Sequence, residues 1–311
     1  MYHKSSPLLF YCETALHAGT GSELGVIDLP IQRERHTGFP KMESSGLKGA
    51  IRERFEQKLI ETKQISPGKV RKHDELYATF GPEEGELHAG CLGFTDARLL
   101  CFPVKSMKGV FGWVTCPSIL NRLSDDFVNS GLAVSAVKPI NKPGASGTEL
   151  HIPGSQNAVV LEEYKFVLPV HADITALATW LADAVFPGNN NYWNAKMKSS
   201  LLVLNDDDFK DFVNLSTEVV TRTKINNETG TVESGALFTE EYLPAESILY
   251  SMVLFAPVMK IERPGKLTDA QSVEDFFQEM LTLSNNRFQA GGNATLGKGI
   301  LRTSIVKPLS N

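Results

Sequence analysis

Between residues 17 and 40 the chain gathers His17, Asp28, Arg33, Arg35 and His36 into a run punctuated by Gly19, Gly21, Gly25 and Gly38. An aspartate can hold a divalent cation or orient an attacking hydroxyl, a histidine can relay a proton, and arginines pair with phosphate. Glycines let the backbone approach a ligand closely. The same residue types also make an ordinary polar connection, with Asp28 closing a turn and the arginines in water.

A second group follows at Ser44, Ser45, Gly46, Leu47, Lys48 and Gly49. Leu47, Ile51, Phe55 and Leu59 recur at every fourth position, which predicts one buried face of a helix opening near residue 45. Capping by Ser44 or Ser45 accounts for the serines. It does not account for Lys48, since a lysine in a first helical turn opposes the helix dipole unless an anion sits there. Lys48, Arg52 and Arg54 fall beside or opposite the apolar face.

The third group is the glycine-rich stretch 288–299, with Gly291, Gly292, Gly297 and Gly299 around Asn293, Thr295 and Lys298. Gly292 to Lys298 has the spacing of a nucleotide-binding P-loop. Gly299 stands where that motif needs a magnesium-binding hydroxyl, and residues 300–306 read as a strand where a P-loop opens a helix, so an NTPase is excluded. A turn of this composition can still cradle a sugar–phosphate backbone through its N–H groups.

The elements that must position these groups alternate between strand and helix. Strands are predicted at residues 8–16, 91–95, 110–115, 158–168, 219–225, 232–238, 248–261 and 300–306, and helices at 117–127, 174–186 and 273–283 as well as from 45. Helices too few for a doubly wound sheet favour an α+β fold with an antiparallel sheet, for which a ferredoxin-like arrangement is a natural candidate. Residues 135–157, rich in Gly, Pro and Ser, read as an excursion loop, and residues 217–244 as a protruding β-hairpin turning near 226–230.

Bulk properties bound the function. Hydrophobic residues make up 42% of 311, enough for a large core, and the apolar run 7–12 is too short for a signal segment or membrane span. Cys12, Cys91, Cys101 and Cys116 form no CxxC pair and suit buried thiols in a reducing cytoplasm. A net charge of −5 speaks against a nucleic-acid binder, but residues 33–72 carry eleven Lys/Arg against five Glu, so a basic face on an acidic protein is available.

Five blocks carry a family resemblance: residues 23–40, residues 47–52, residues 94–100 with 102–111, residues 240–244, and the late glycine-rich turn. The turn resembles the signature of the RAMP superfamily, and the ordered set resembles the backbone subunit of Cmr (type III-B) CRISPR effector complexes, from near residue 8 to near residue 306. The resemblance implies a single RAMP domain over 1–311 with insertions, having a ferredoxin-like or RRM-like palm and residues 217–244 as a thumb. It implies cytoplasmic copies stacked along CRISPR RNA with other Cmr subunits, cutting the target RNA paired to the guide. Asp28 matches the family's cleavage residue and would hold a divalent metal, Mg2+. His17, Glu240 and Tyr242 match supporting positions. Arg33, Arg35, Lys48, Arg52, Arg222 and the turn from Gly291 through Gly292, Asn293 and Gly297 to Lys298 would hold RNA backbone. Two alternatives stay open within the superfamily: a filament subunit that binds guide RNA without cutting, and a stand-alone enzyme that processes guide precursors. A small-molecule enzyme with a glycine-rich phosphate loop stays open outside it.

Overall fold

The computed structural model describes residues 2–22, 25–82, 88–187, 192–258 and 265–306. Glu23 and Leu24 of the resemblance block, residues 259–261 of the strand expected at 248–261, and the chain ends at 1 and 307–311 lie outside the described residues.

Six elements make a ferredoxin-like unit. In chain order they are strand Lys4–Cys12, helix Ser44–Lys63, strand Ala97–Lys105, strand Ile248–Phe255, helix Ala270–Leu283 and strand Ile300–Ile305. Their strands lie side by side as fourth, first, third, second, and every neighbouring pair is antiparallel. In Lys4–Cys12 the last seven residues are all buried, because both faces of this central strand are covered. On one face Phe55 of the long helix meets Phe277 of the later helix at 5.7 Å, and Phe277 meets Phe255 at 6.0 Å. On the other, Tyr11 packs edge-on against Phe186, which follows helix Ala172–Val185, at 4.9 Å.

The stretch between strands Ala97–Lys105 and Ile248–Phe255 is a long insertion. It extends the sheet through Phe111–Thr115, Leu201–Val203 and Gly144–Ala145, the first two of these running parallel. Residues 135–157 hold only Gly144–Ala145 as regular structure. The apolar run 158–168 is two strands, Ala158–Leu161 and Tyr164–Val167, because Glu162 takes a left-handed turn at φ 50°.

From the same insertion rises a separate two-stranded hairpin, Glu218–Ile225 with Val232–Tyr242. Its tip is held by Asn226, whose Oδ1 accepts from the N–H groups of Glu228 and Thr229 at 2.8 and 3.1 Å. Val219, Ile225, Val232 and Leu237 on it are about half exposed or more, so the hairpin stands away from the core and is buried only at its foot.

Candidate RNA-contacting site at the foot of the hairpin

The foot of the hairpin collects three other passes of chain. Leu29 bridges Glu240 in parallel, with Leu29 N–H donating to Thr239 O at 3.0 Å and Glu241 N–H to Leu29 O at 3.0 Å. Leu16 bridges Leu243 with hydrogen bonds of 2.9 Å in both directions. The glycine turn then closes on the segment before His17: Gly292 N–H donates to His17 O and Gly299 N–H to Ala15 O, both at 2.9 Å. The glycines are obligatory where the backbones touch. A Cβ on Gly291 would lie 2.3 Å from His17 O, and one on Gly299 1.9 Å from Ala290 O, with both residues at positive φ. The aspartate loop and the glycine turn, 250 residues and more apart in sequence, therefore share one surface.

Asp28 is exposed. Its Oδ2 accepts from Thr239 N–H at 2.7 Å and Thr239 Oγ1 at 2.9 Å, and Oδ1 has no donor among the described residues. The backbone N–H of Thr239, then its hydroxyl, hold the Asp28 carboxyl below the usual carboxylate range, so the group is a fixed anion at neutral pH with one oxygen free. Among the described residues no three His, Cys, Asp or Glu side chains cluster as a ready metal cage. One free carboxylate oxygen still fits a hard cation such as Mg2+, which keeps water and takes phosphate oxygens as its remaining ligands.

One residue beyond Thr239, the partner of Asp28, lies a buried polar network centred on Glu240. Tyr242 OH donates to Glu240 Oε2 at 2.5 Å, Asn293 Nδ2 to Oε1 at 2.5 Å, and Arg222 Nε lies 3.4 Å from Oε2. Arg222 also donates to Tyr242 OH at 2.7 Å, and Lys298 Nζ stands 4.7 Å above the Tyr242 ring. His17 Nδ1 donates to Glu241 O at 2.7 Å, which leaves Nε2 facing Glu240 Oε1 at 3.6 Å. His17, Arg222, Glu240, Tyr242, Asn293 and Lys298 are thus one group.

Burial alone would push the Glu240 carboxyl up, but the hydrogen bonds from Tyr242 and Asn293 and the charges of His17 and Arg222 outweigh it and hold it below its usual value. Burial and the Glu240 carboxylate together push the Tyr242 phenol up. A depressed carboxyl contributes stability that is complete above its unfolded value of about 4.3 and is lost as pH falls through the folded value. Chemical denaturation at stepped pH is therefore expected to show the protein more stable than Glu240→Gln near neutrality, with the gap closing below about pH 4. A gap independent of pH would contradict this.

Arg33 is engaged internally. It pairs with buried Glu241 at 2.5 Å and donates to Gly38 O and Val213 O at 2.8 and 3.0 Å. Glu241 in turn accepts from Ile31 N–H at 3.0 Å and Thr217 Oγ1 at 2.8 Å, so this pair clamps the aspartate loop to the hairpin. Arg35 is exposed and makes no hydrogen bond or ion pair among the described residues.

The helix start differs from its sequence expectation. Neither Ser44 nor Ser45 caps it: Glu43 is the cap residue, and Asp96 supplies the anion by accepting from Ser44 N–H at 3.0 Å. Lys48 points inward, its Nζ donating to Leu92 O at 2.9 Å, and burial holds its ammonium below the usual lysine range. Arg52 bonds Glu56 and Gly81 O at 2.9 and 3.2 Å. Lys48 and Arg52 therefore tie the helix to its neighbours, and the lysine that seemed to call for a phosphate is answered by a carbonyl.

The turn itself offers an anion-binding concavity. The N–H groups of Asn293, Ala294 and Thr295 have no acceptor among the described residues, and Asn293 is left-handed at φ 62°. Sequence reasoning missed Asp96, Thr239 and Glu241. The Thr-Glu-Glu-Tyr order at 239–242 holds the signal: three polar side chains at the end of a strand.

The RAMP superfamily profile matches residues 9–302. The chain belongs to the RAMP superfamily. Within these RAMP proteins it groups with the Cmr4 proteins. It is 35% identical to the CRISPR system Cmr endoribonuclease Cmr4 of Pyrococcus furiosus over 97% of this chain and 95% of that protein. Identity to the CRISPR system CMR subunit Cmr4 of Saccharolobus solfataricus is 26%, over 95% and 94% of the two chains. Among solved RAMP structures, oligomeric Cmr4 from Pyrococcus furiosus superposes with a TM-score of 0.67 at 28% identity, covering 97% of this chain and 98% of that one. A subunit of the type III-B Cmr-beta complex bound to cognate target RNA gives 0.70 at 25% identity, covering 98% of each.

Proposed function

We propose that this RAMP protein is the repeating backbone subunit of a type III-B Cmr effector, gripping guide RNA and cutting the RNA paired to it. The observation that carries this reading is the convergence of Asp28 and the glycine turn at the foot of a projecting hairpin. Its relatives add that one is a Cmr endoribonuclease, one forms an oligomer, and one sits in a complex bound to target RNA. Copies of the chain stack with other Cmr subunits along CRISPR RNA in the cytoplasm, and among the described residues no helix is long and apolar enough to cross a membrane.

Guide RNA is held by shape and charge, because its sequence varies. The free N–H groups of the turn, Lys298, Arg222 and Arg35 face its phosphates, while Arg33, Lys48 and Arg52 hold the elements that present them. The hairpin, with its exposed apolar side chains, wedges between bases and kinks the paired target.

Cleavage joins the 2′-oxygen of a target ribose to its own phosphorus as the hydroxyl proton is lost to solvent, and breaks the bond from phosphorus to the 5′-oxygen, which takes up a proton to leave as a hydroxyl. Regular A-form pairing forbids that in-line geometry, and a splayed nucleotide permits it, so positioning does much of the catalysis. Asp28 orients the attacking hydroxyl and would hold a divalent ion, Mg2+, through its free oxygen. When bound there, such an ion would supply positive charge to stabilise the oxygens of the reacting phosphate. His17 is held by its Nδ1–H with Nε2 directed at Glu240, where a proton can be relayed.

The test is electrophoresis of an end-labelled complementary RNA incubated with the purified complex and Mg2+. Evenly spaced fragments ending in 2′,3′-cyclic phosphate and 5′-hydroxyl are expected. Intact RNA that stays bound would mean a filament without a cutter, and one cut confined to guide precursors would mean a processing enzyme.

A further inference from the structure

We propose that the Asn293 side chain positions the site for cleavage, a pin that fixes the distance between the guide-gripping turn and the hairpin foot, and does not itself contact RNA. The inference rests on the function proposed above. Three observations carry it. One amide nitrogen, Nδ2, donates both to Glu240 Oε1 at 2.5 Å and to Tyr242 OH at 2.9 Å, so both its hydrogens are spent on the protein. The residue sits at the hinge of the turn, where its carbonyl accepts from Leu296 N–H at 2.9 Å and Lys298 N–H at 3.2 Å. Its backbone is left-handed, at φ 62° and ψ 33°, a region that asparagine enters more readily than most residues.

The chemistry of the partner sharpens the role. Glu240 receives Tyr242 and Arg222 on Oε2 and Asn293 on Oε1. Without the amide, Oε1 keeps only His17 Nε2 at 3.6 Å, and the carboxylate is free to turn about its last bond. Asp28 stands on Thr239, the residue preceding Glu240, so slack in this network reaches the cleavage carboxylate through one peptide unit. An offset of about 1 Å between reacting groups costs roughly 10²-fold in rate.

The test uses the assembled complex with every copy replaced, in single-turnover cleavage at saturating target, beside a measurement of target affinity. Asn293→Gly keeps the left-handed backbone without strain and removes only the amide. Its cleavage rate is expected to fall roughly 10²-fold with target affinity unchanged. Asn293→Asp keeps the shape and sets a carboxyl against Glu240. Its defect relative to the unaltered complex is expected to shrink as pH falls, because the two carboxyls then share a proton and regain a hydrogen bond. A role in bulk stability alone would not give that pH signature. An unchanged cleavage rate in Asn293→Gly, a parallel fall in rate and affinity, or a pH-independent defect in Asn293→Asp would each overturn the proposal. If the unaltered complex cuts nothing, the proposed function itself fails and takes this inference with it.

Discussion

Asp28→Ala in every copy leaves guide RNA bound and the complex assembled, and slows cutting of the paired RNA by roughly 10²- to 10³-fold. The expectation follows from where Asp28 stands. It is exposed, its contacts are confined to Thr239, and its neighbours Leu29 and Glu241 stay joined through backbone hydrogen bonds of 3.0 Å that do not involve its side chain. Removing the carboxylate therefore costs little in the fold and everything that a fixed anion contributes at the reacting phosphate. Asp28→Asn separates two ways of acting. It keeps the hydrogen bond from Thr239 but not the charge, so a comparable loss identifies charge as the operative property, and near-normal cutting identifies orientation. Quantified cleavage time courses with equal amounts of guide-loaded complex check both.

Gly299→Ala is expected to disrupt the guide grip itself. Gly299 lies at φ 73°, its N–H donates to Ala15 O and its carbonyl accepts from Ala290 N–H, both at 2.9 Å. An added Cβ would meet Ala290 O at 1.9 Å, and that atom is backbone, so nothing flexible can move aside. Left-handed backbone at a residue with a side chain costs about 1–2 kcal/mol by itself. With the clash, the turn must open, at a total of about 3 kcal/mol. Since the turn is stitched to the segment bearing His17 and to the hairpin foot, guide affinity is expected to fall together with cleavage, unlike the clean separation expected at Asp28. Filter binding of guide RNA to the assembled complex measures it, and retention of normal affinity would contradict the assignment of the turn to RNA backbone.

Much of this architecture is written in local pattern. The fourfold spacing of Leu47, Ile51, Phe55 and Leu59 became the buried face of helix Ser44–Lys63, and the turn-rich stretch between two β-prone runs became the hairpin Glu218–Ile225 with Val232–Tyr242. What stayed hidden has physical reasons. Strand Ala97–Lys105 is the second strand of the ferredoxin-like unit, yet it carries Arg98 and Pro103, and a proline argues against an interior strand. Pro103 is accommodated opposite Trp113, beyond the point where the strand pairs with Ile248–Phe255. Leu201–Val203 is three residues long and pairs in parallel across the insertion, which no local period signals. Helix Asp206–Leu215 was legible in principle, since Asp206, Asp207 and Asp208 complement the positive end of its dipole.

At the site, residue type marked candidates and not their partners. Asp28, His17, Glu240 and Tyr242 stood out as chemistry-bearing, but whether a cation meets RNA or protein depends on partners far along the chain. Arg33 faces Glu241 and Lys48 faces Leu92 O, contacts spanning 208 and 44 residues. The helix start at Ser44 illustrates the limit: an anion does occupy it, and the anion is the protein's own Asp96.

In the proposed function the loop bearing Asp28 and the late glycine turn border a single track of RNA. A photo-reactive residue placed at Val26, which is 97% exposed, or at exposed Thr295 reports that directly in the assembled complex. Irradiation with guide and target present is expected to join both positions to RNA, with mapped attachment points within a few nucleotides of one another. Attachment from one position alone, or from points on RNA too distant for a single subunit to span, would contradict it.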